Sequence, residues 1–313
     1  MNKKYLLPAI LGTAFQLACS HTVLAQTQSN QIAFLSDIHL QDVYADLQSE
    51  EFKGVLNPAT GKVATIRTMK SQINSTRLFN ENYFALFSAL EDLRKKGIRL
   101  VVLPGDFTDD GQPMNVLALK KILDHYAEEL GMRFFLTTGN HDPVKPFGGI
   151  AGKRDFLGID GSDQAIAGSK EVYPSSQVAL SDQINYWGYP EITNALGNFG
   201  FFPNEKDLFW THPFQELDVE NYNFQNALKS ATLKNRVYEV DDSGLFIPDA
   251  SYVVEPVEGI WLLALDGNVY TYTGSEWKGS SQGFNQAAFH KKHQLEWIEK
   301  IAVEGISPKS WGN

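Results

Sequence analysis

With 313 residues, 43% of them hydrophobic, the chain carries enough apolar material for one large domain or for a domain with a sizeable insertion. Its 37 acidic and 27 basic side chains leave a formal charge of −10, and no Lys/Arg block is long enough to follow a nucleic-acid backbone. No nucleic-acid backbone binding is expected on that ground, whereas a small phosphate-bearing ligand remains open, because bound metal ions supply local positive charge that the side chains lack.

Lys3 and Lys4, an apolar run from Tyr5 to about Leu17, and the small-residue pattern Val23-Leu24-Ala25 predict a signal peptide over residues 1–25. The run is too short to span a bilayer, so no transmembrane segment is expected. Leu17-Ala18-Cys19 offers lipoprotein anchoring at Cys19 as the alternative to plain cleavage. Either way the protein is expected to be exported, to the periplasm or the medium. Cys19 is the only cysteine, so a mature chain has no thiol for nucleophilic catalysis, zinc–thiolate sites or iron–sulfur clusters.

The remaining chain, 26–313, reads as one domain. Gln31–Ser36 predicts a first core strand that runs into Asp37-Ile38-His39. Residues 41–81 form a long polar connection with Pro58 and Gly61, long enough to build the rim of a site. A helix is predicted over Asn82–Lys96, with Tyr83, Leu86, Leu90 and Leu93 at helical spacing and Gly97 as its stop. The apolar run from Leu100 predicts a buried strand that Pro104 and Gly105 end just before Asp106. A second helix is expected over 116–130, capped by Asn115 and followed by Gly131. Arg133–Thr138 then reads as a third strand leading into Gly139-Asn140-His141-Asp142. Alternating strands and helices imply strand ends that point the same way, which lets residues distant in sequence share one pocket.

From Pro143 to about Ser243 the regular pattern dissolves, and about 143–250 reads as an insertion or lid. Its aromatics, among them Tyr173, Tyr186, Trp187, Tyr189, Phe199, Phe201, Phe202 and Trp210, fit either a lid that grips substrate or an insertion packed on its own rings. Strands are predicted over Arg236–Asp241, Ser251–Glu255 and Gly259–Leu265, and a helix over His290–Ala302.

The three early strand ends offer Asp37 with His39, Asp106, and Asn140 with His141. Carboxylate oxygens and imidazole nitrogens together suit a borderline divalent metal such as manganese, iron or zinc. In a two-metal hydrolytic site the ions lie about 3.5–4 Å apart, and a carboxylate on the middle element, here Asp106, is the natural bridge. The adjacent acids Asp109 and Asp110 read as solvated caps of a turn, or as the paired acids of a glycoside hydrolase. His290 and His293 read as solvated helix residues with metal binding as the alternative, and His125 and His212 as structural or surface groups.

Ser36-Asp37-Ile38-His39, Gly105-Asp106 and Gly139-Asn140-His141-Asp142, in this order and each at a strand end, resemble the N-terminal motifs of the calcineurin-like metallophosphoesterases. The resemblance covers about Gln31–Pro143, and more loosely Gly259–Ala302, where IWLLALDGN and HQLEWIEKI look like a later core strand and helix. It implies an α/β fold, a two-sheet αββα sandwich, with a large insertion. It also implies hydrolysis of small phosphate monoesters or diesters by metal-activated water at a dinuclear centre. Carried over residue by residue, it has Asp37 and His39 hold the first metal, Asp106 bridge both, Asn140 hold the second, and His141 protonate the leaving oxygen. Asp142 would orient or tune His141.

The chain departs from the family pattern after His290–Ala302, because a further strand-end histidine and a Gly-His-x-His element do not occur before Asn313. It therefore reads as a truncated copy short of about three metal ligands, in which the second ion binds poorly. The alternative function is a catalytically impaired metal- or ligand-binding protein of the same fold.

Overall fold

The run Leu100-Val101-Val102-Leu103 is buried at every position, which a strand tolerates only where both faces of its sheet are covered. The structure, a computed structural model, describes residues 31–174, 177–281 and 284–305. The expected signal peptide at 1–25, with Cys19, and the final residues up to Asn313 lie outside the described residues.

In chain order the elements are β1 (Ile32–Phe34), β2 (Val55–Asn57), β3 (Lys62–Ala64), α1 (Met69–Ile73), α2 (Asn82–Lys95), β4 (Leu100–Pro104), α3 (Pro113–Leu130) and β5 (Arg133–Thr137). They continue with β6 (Gly152–Leu157), β7 (Asp163–Ala167), β8 (Val178–Leu180), α4 (Tyr189–Ala195), β9 (Phe209–Thr211), α5 (Phe224–Ser230), β10 (Val237–Glu239) and β11 (Phe246–Pro248). The last are β12 (Tyr252–Val257), β13 (Ile260–Ala264), β14 (Asn268–Tyr272), β15 (Trp277–Ser281), α6 (Phe284–His290) and α7 (Lys292–Lys300).

Two sheets make the body. β4 pairs in parallel with β1 and β5, Val101 lying opposite Ala33 on one side and Phe134 on the other. β12 runs antiparallel between β9 and β13, with Val253 opposite Thr211 and Leu263. The period of two along β12 shows the layering. Tyr252 and Val254 join Val101, Leu103, Phe134 and Leu136 in the main core, while Val253 packs with Phe209 and Trp297 in a separate cluster. The Tyr252 hydroxyl also crosses between the sheets and donates to the Leu136 carbonyl at 2.9 Å.

α2 and α3 pack on the parallel sheet through Leu86, Leu90 and Leu93 and through Leu119, Leu123 and Tyr126, whose burial stabilises by ~2 kcal/mol per leucine. α7 closes the other side through Trp297. The product is the αββα sandwich expected of the sequence. No helix among the described residues is long and apolar enough to cross a membrane.

Three expectations are corrected. α3 starts at Pro113 rather than 116, because proline at the first helical position has no N–H to leave unpaired. Asn115 is therefore not its cap; its side-chain oxygen accepts from the Asp42 N–H at 2.8 Å. The helix expected over His290–Ala302 is split between α6 and α7, with buried Lys291 at the break. The stretch that looked irregular holds a three-stranded sheet, β6–β7–β8, whose strands of three to six residues are too short to display a period.

The small sheet has its own core of Phe156, Ile166, Ala179 and Ile184, completed by Leu47 and Phe52 from the 41–81 connection and by Met114. Backbone bridges Gly54–Gly158 and Arg67–Phe156 join connection and insertion into one rim. Tyr189, Phe199, Phe201 and Trp210 are buried in the main core, so these four rings pack inward and do not grip a substrate.

Candidate active site

The loops after β1, β4 and β5 meet at one edge of the parallel sheet. His39 N–H donates to the Asp106 carbonyl at 2.8 Å and Leu40 N–H to that of Phe107 at 3.1 Å, so the first two loops run on as a short ladder. Asp37, His39, Asp106 and Asp110 all adopt positive φ, between 44° and 65°. Such backbone is strained for residues with a Cβ, and strain of this kind gathers where side chains are aimed at a function. Gly139 lets the third loop come close, since a Cβ there would lie 2.2 Å from Asp106 Oδ1.

Three of the expected site residues converge. His39, Asp106 and His141 each offer a donor atom, and these atoms all lie within 4.8 Å of one another. The His39 and His141 rings sit edge to face with centroids 4.9 Å apart. His39 Nε2 is 3.8 Å from Asp106 Oδ2, and Asp106 Oδ1 accepts from the His141 N–H at 2.9 Å. Asn140 is half-buried on the same loop as His141. Asp37 is exposed on the His39 loop and stands outside the trio.

Around His141 lies a charged network that the sequence reading did not contain. Asp110 bonds the imidazole at Nδ1, and Arg77 Nη2 lies 2.8 Å from Nε2. A guanidinium can only donate, so Nε2 accepts and the ring proton sits on Nδ1, facing Asp110. Lys153 bonds the other oxygen of Asp110. Asp109 is fully buried and bonded by Arg77 Nη1, with Arg67 Nη1 at 3.6 Å and Lys153 Nζ at 3.7 Å. Arg67 is itself held between the Phe79 and Phe156 rings and pairs through Nε with Asp155 at 2.9 Å. Asp109 and Asp110 are thus buried and ion-paired, not the solvated caps that adjacent acids on a turn suggested. Burial pushes the Asp110 carboxyl up, but the His141 bond and the Lys153 charge outweigh it and hold its pKa below the ordinary value. His39 is lowered, first by burial and then by the Arg77 charge.

Asp142, expected to orient His141, does something else. Its buried carboxylate accepts from the Thr108 N–H at 2.9 Å and bonds the Thr108 hydroxyl, tying the β4 loop to the β5 loop. Burial raises it well above the usual carboxylate range. The group that orients the imidazole is Asp110.

The second sheet holds the third loop from behind. Asp266 accepts from the Thr138 hydroxyl at 2.9 Å and the Tyr189 hydroxyl at 2.6 Å. Asn268 Nδ2 donates to the Gly139 carbonyl at 2.8 Å, and the Tyr270 hydroxyl to that of Pro143 at 2.6 Å. His290 and His293 pair with acids, His290 Nδ1 with Asp241 at 2.5 Å and His293 Nε2 with Asp249 at 2.8 Å, and are not free solvated helix residues. Lys291 between them is buried, 3.3 Å from Asp249 and 3.4 Å from Asp266.

The donor set fits a divalent cation. Two imidazoles and a carboxylate are a mixed N/O set, and His39 Nδ1 is buried with no hydrogen-bond partner among the described residues, the condition of a nitrogen kept for a ligand. His141 is engaged at both ring nitrogens, by Arg77 and by Asp110. A family model described as calcineurin-like phosphoesterase matches residues 31–298. No curated protein matches the chain.

Proposed function

Since the chain belongs to the calcineurin-like phosphoesterase family, whose members are metal-dependent hydrolases of phosphate esters, we propose that it hydrolyses small phosphate monoesters or diesters at a dinuclear divalent metal centre. The observation that carries this reading is the convergence of His39, Asp106 and His141 from three strand ends. Asp37 and His39 would hold one ion, Asn140 the other, and Asp106 both. When bound, such ions supply Lewis acidity and make hydroxide available near neutral pH.

The rest is the work of side chains. Asp110 keeps one ring proton on Nδ1, so Nε2, once a ligand replaces the Arg77 contact, would take a second proton from solvent and pass it to the departing oxygen, while Asp110 balances the imidazolium charge. Asp142 and Thr108 fix the two loops that bear Asp106 and His141, and Asn268 and Tyr270 keep the second of these loops from drifting. We also read residues 1–25 as an export signal, on their charge and apolar pattern.

One observation favours the second reading, an impaired binding protein. Among the described residues, the trio is the one group of three His, Asp or Glu side chains close enough for an ion, and a second ion would rest on fewer protein ligands. The deciding assay uses purified protein and 4-nitrophenyl phosphate with manganese, zinc or iron(II) added. Hydrolysis is expected only with metal and not in Asp106→Asn. A single weakly held ion with no turnover selects the binding protein instead.

A further inference from the structure

We propose that Arg77 takes a non-bridging phosphoryl oxygen and biases the site towards phosphate monoesters, an inference that rests on the phosphoesterase reading above. Arg77 comes from the 41–81 connection, where no motif marks it. Its guanidinium nevertheless reaches the centre of the site, with Nη2 2.8 Å from His141 Nε2. If Nε2 serves the departing oxygen, a donor at that separation meets a neighbouring oxygen of the same phosphoryl group, since oxygens on one phosphorus are spaced about as widely as these two nitrogens.

The side chain is prepared for this task. Asp109 is fully buried and bonds Nη1, which fixes the plane of the fork and leaves Nη2 to face the site. Little rotamer freedom is then lost when an anion arrives. Two acids face Arg77, and neither is its alone: Asp109 is shared with Arg67 at 3.6 Å and Lys153 at 3.7 Å, and Asp110, 3.7 Å from Arg77 Nη1, is bonded by Lys153 and His141. Arg77 is also still open to a ligand, with 20% of its side chain exposed. Ligand oxygens would replace the His141 contact, not the Asp109 bond.

Charge then decides the substrate class. A monoester is largely dianionic at neutral pH, with a second ionisation near pH ~6, and offers three non-bridging oxygens. A diester carries one charge and offers two such oxygens. A fixed cation in a half-buried site gains about twice the Coulomb energy from the dianion.

The test compares wild type, Arg77→Gln and Arg77→Lys with 4-nitrophenyl phosphate and bis(4-nitrophenyl) phosphate at fixed manganese, and titrates each protein with inorganic phosphate by calorimetry. In Arg77→Gln the monoester kcat/KM is expected to fall about tenfold more than the diester value, mostly through KM, and phosphate to bind about tenfold more weakly. Arg77→Lys keeps the charge on Asp109 but loses the planar fork, so it should fall between the two; if Arg77→Gln does not fold, this variant carries the comparison. Equal losses on both esters with unchanged phosphate affinity overturn the proposal and leave Arg77 a support for Asp109. Wild-type protein that hydrolyses neither ester sinks the phosphoesterase reading instead, and the phosphate titration then decides the part of Arg77 by itself.

Discussion

Asp110 bonds the Nδ1 of His141 across 31 residues of chain, and so joins the loop after β4 to the imidazole presented after β5. Replacing the acid by its amide, Asp110→Asn, keeps the size but allows the other ring tautomer. The kcat for an aryl phosphate is expected to fall about 100-fold or more, with bound metal per chain unchanged by elemental analysis. An unchanged kcat would remove Asp110 from the proton-transfer argument.

Gly139 is the closest point between two of the site loops. A methyl group there would meet Asp106 Oδ1 at 2.2 Å and the Asp106 backbone nitrogen at 2.3 Å, so Gly139→Ala must push the loops apart. The expected result is a stability loss of about 1–3 kcal/mol in urea denaturation, together with weaker metal binding by titration. Native metal affinity in this variant would mean that the loops adjust freely.

His212 supplies an acid-sensitive contribution far from any ligand role. Burial, helped by the Arg236 charge, lowers its pKa from 6.5 to about 3. The unfolded chain therefore takes up a proton below pH 6.5 that the folded chain refuses until pH falls to about 3. Stability from this residue is complete above the upper value and is lost as pH falls through the interval, by about 1.4 kcal/mol per unit. His212→Phe should flatten that part of the stability profile measured by denaturant unfolding at stepped pH.

Lys291 is buried between Asp249 and Asp266 and joins α6 and α7 to the second sheet. Lys291→Met leaves two buried carboxylates short of a partner, and a loss of about 3–5 kcal/mol in unfolding free energy is expected. A variant as stable as wild type would show that His293 and Arg236 suffice to balance those acids.

The body of the fold was legible because its signals are local. Leu100–Leu103 stop at Pro104 and Gly105, the apolar faces of α2 and α3 repeat at helical spacing, and Gly131 ends α3 in the left-handed conformation with φ 64°. The same locality explains why the three strand ends could be read, since His39, Asp106 and His141, which the fold brings together, each lie within a few residues of an apolar run. Arg77 and Lys153 could not be found that way. Arg77 reaches His141 across 64 residues and Lys153 reaches Asp110 across 43, and only the folded rim brings them there. Adjacency misled at Asp142, because consecutive loop residues send their side chains in different directions and the neighbour in sequence is not the neighbour in space. The strands β6 to β8 were hidden by their length.

The pairing of Gly54 with Gly158 and of Arg67 with Phe156 stitches the early connection to the late insertion. Neither piece can be exchanged without its mate: a chimaera that grafts the insertion of a relative onto this scaffold would strand Phe52 and Leu47 and leave Asp109 without Lys153. Redesign of what enters the cleft has to transplant both segments as a single cassette.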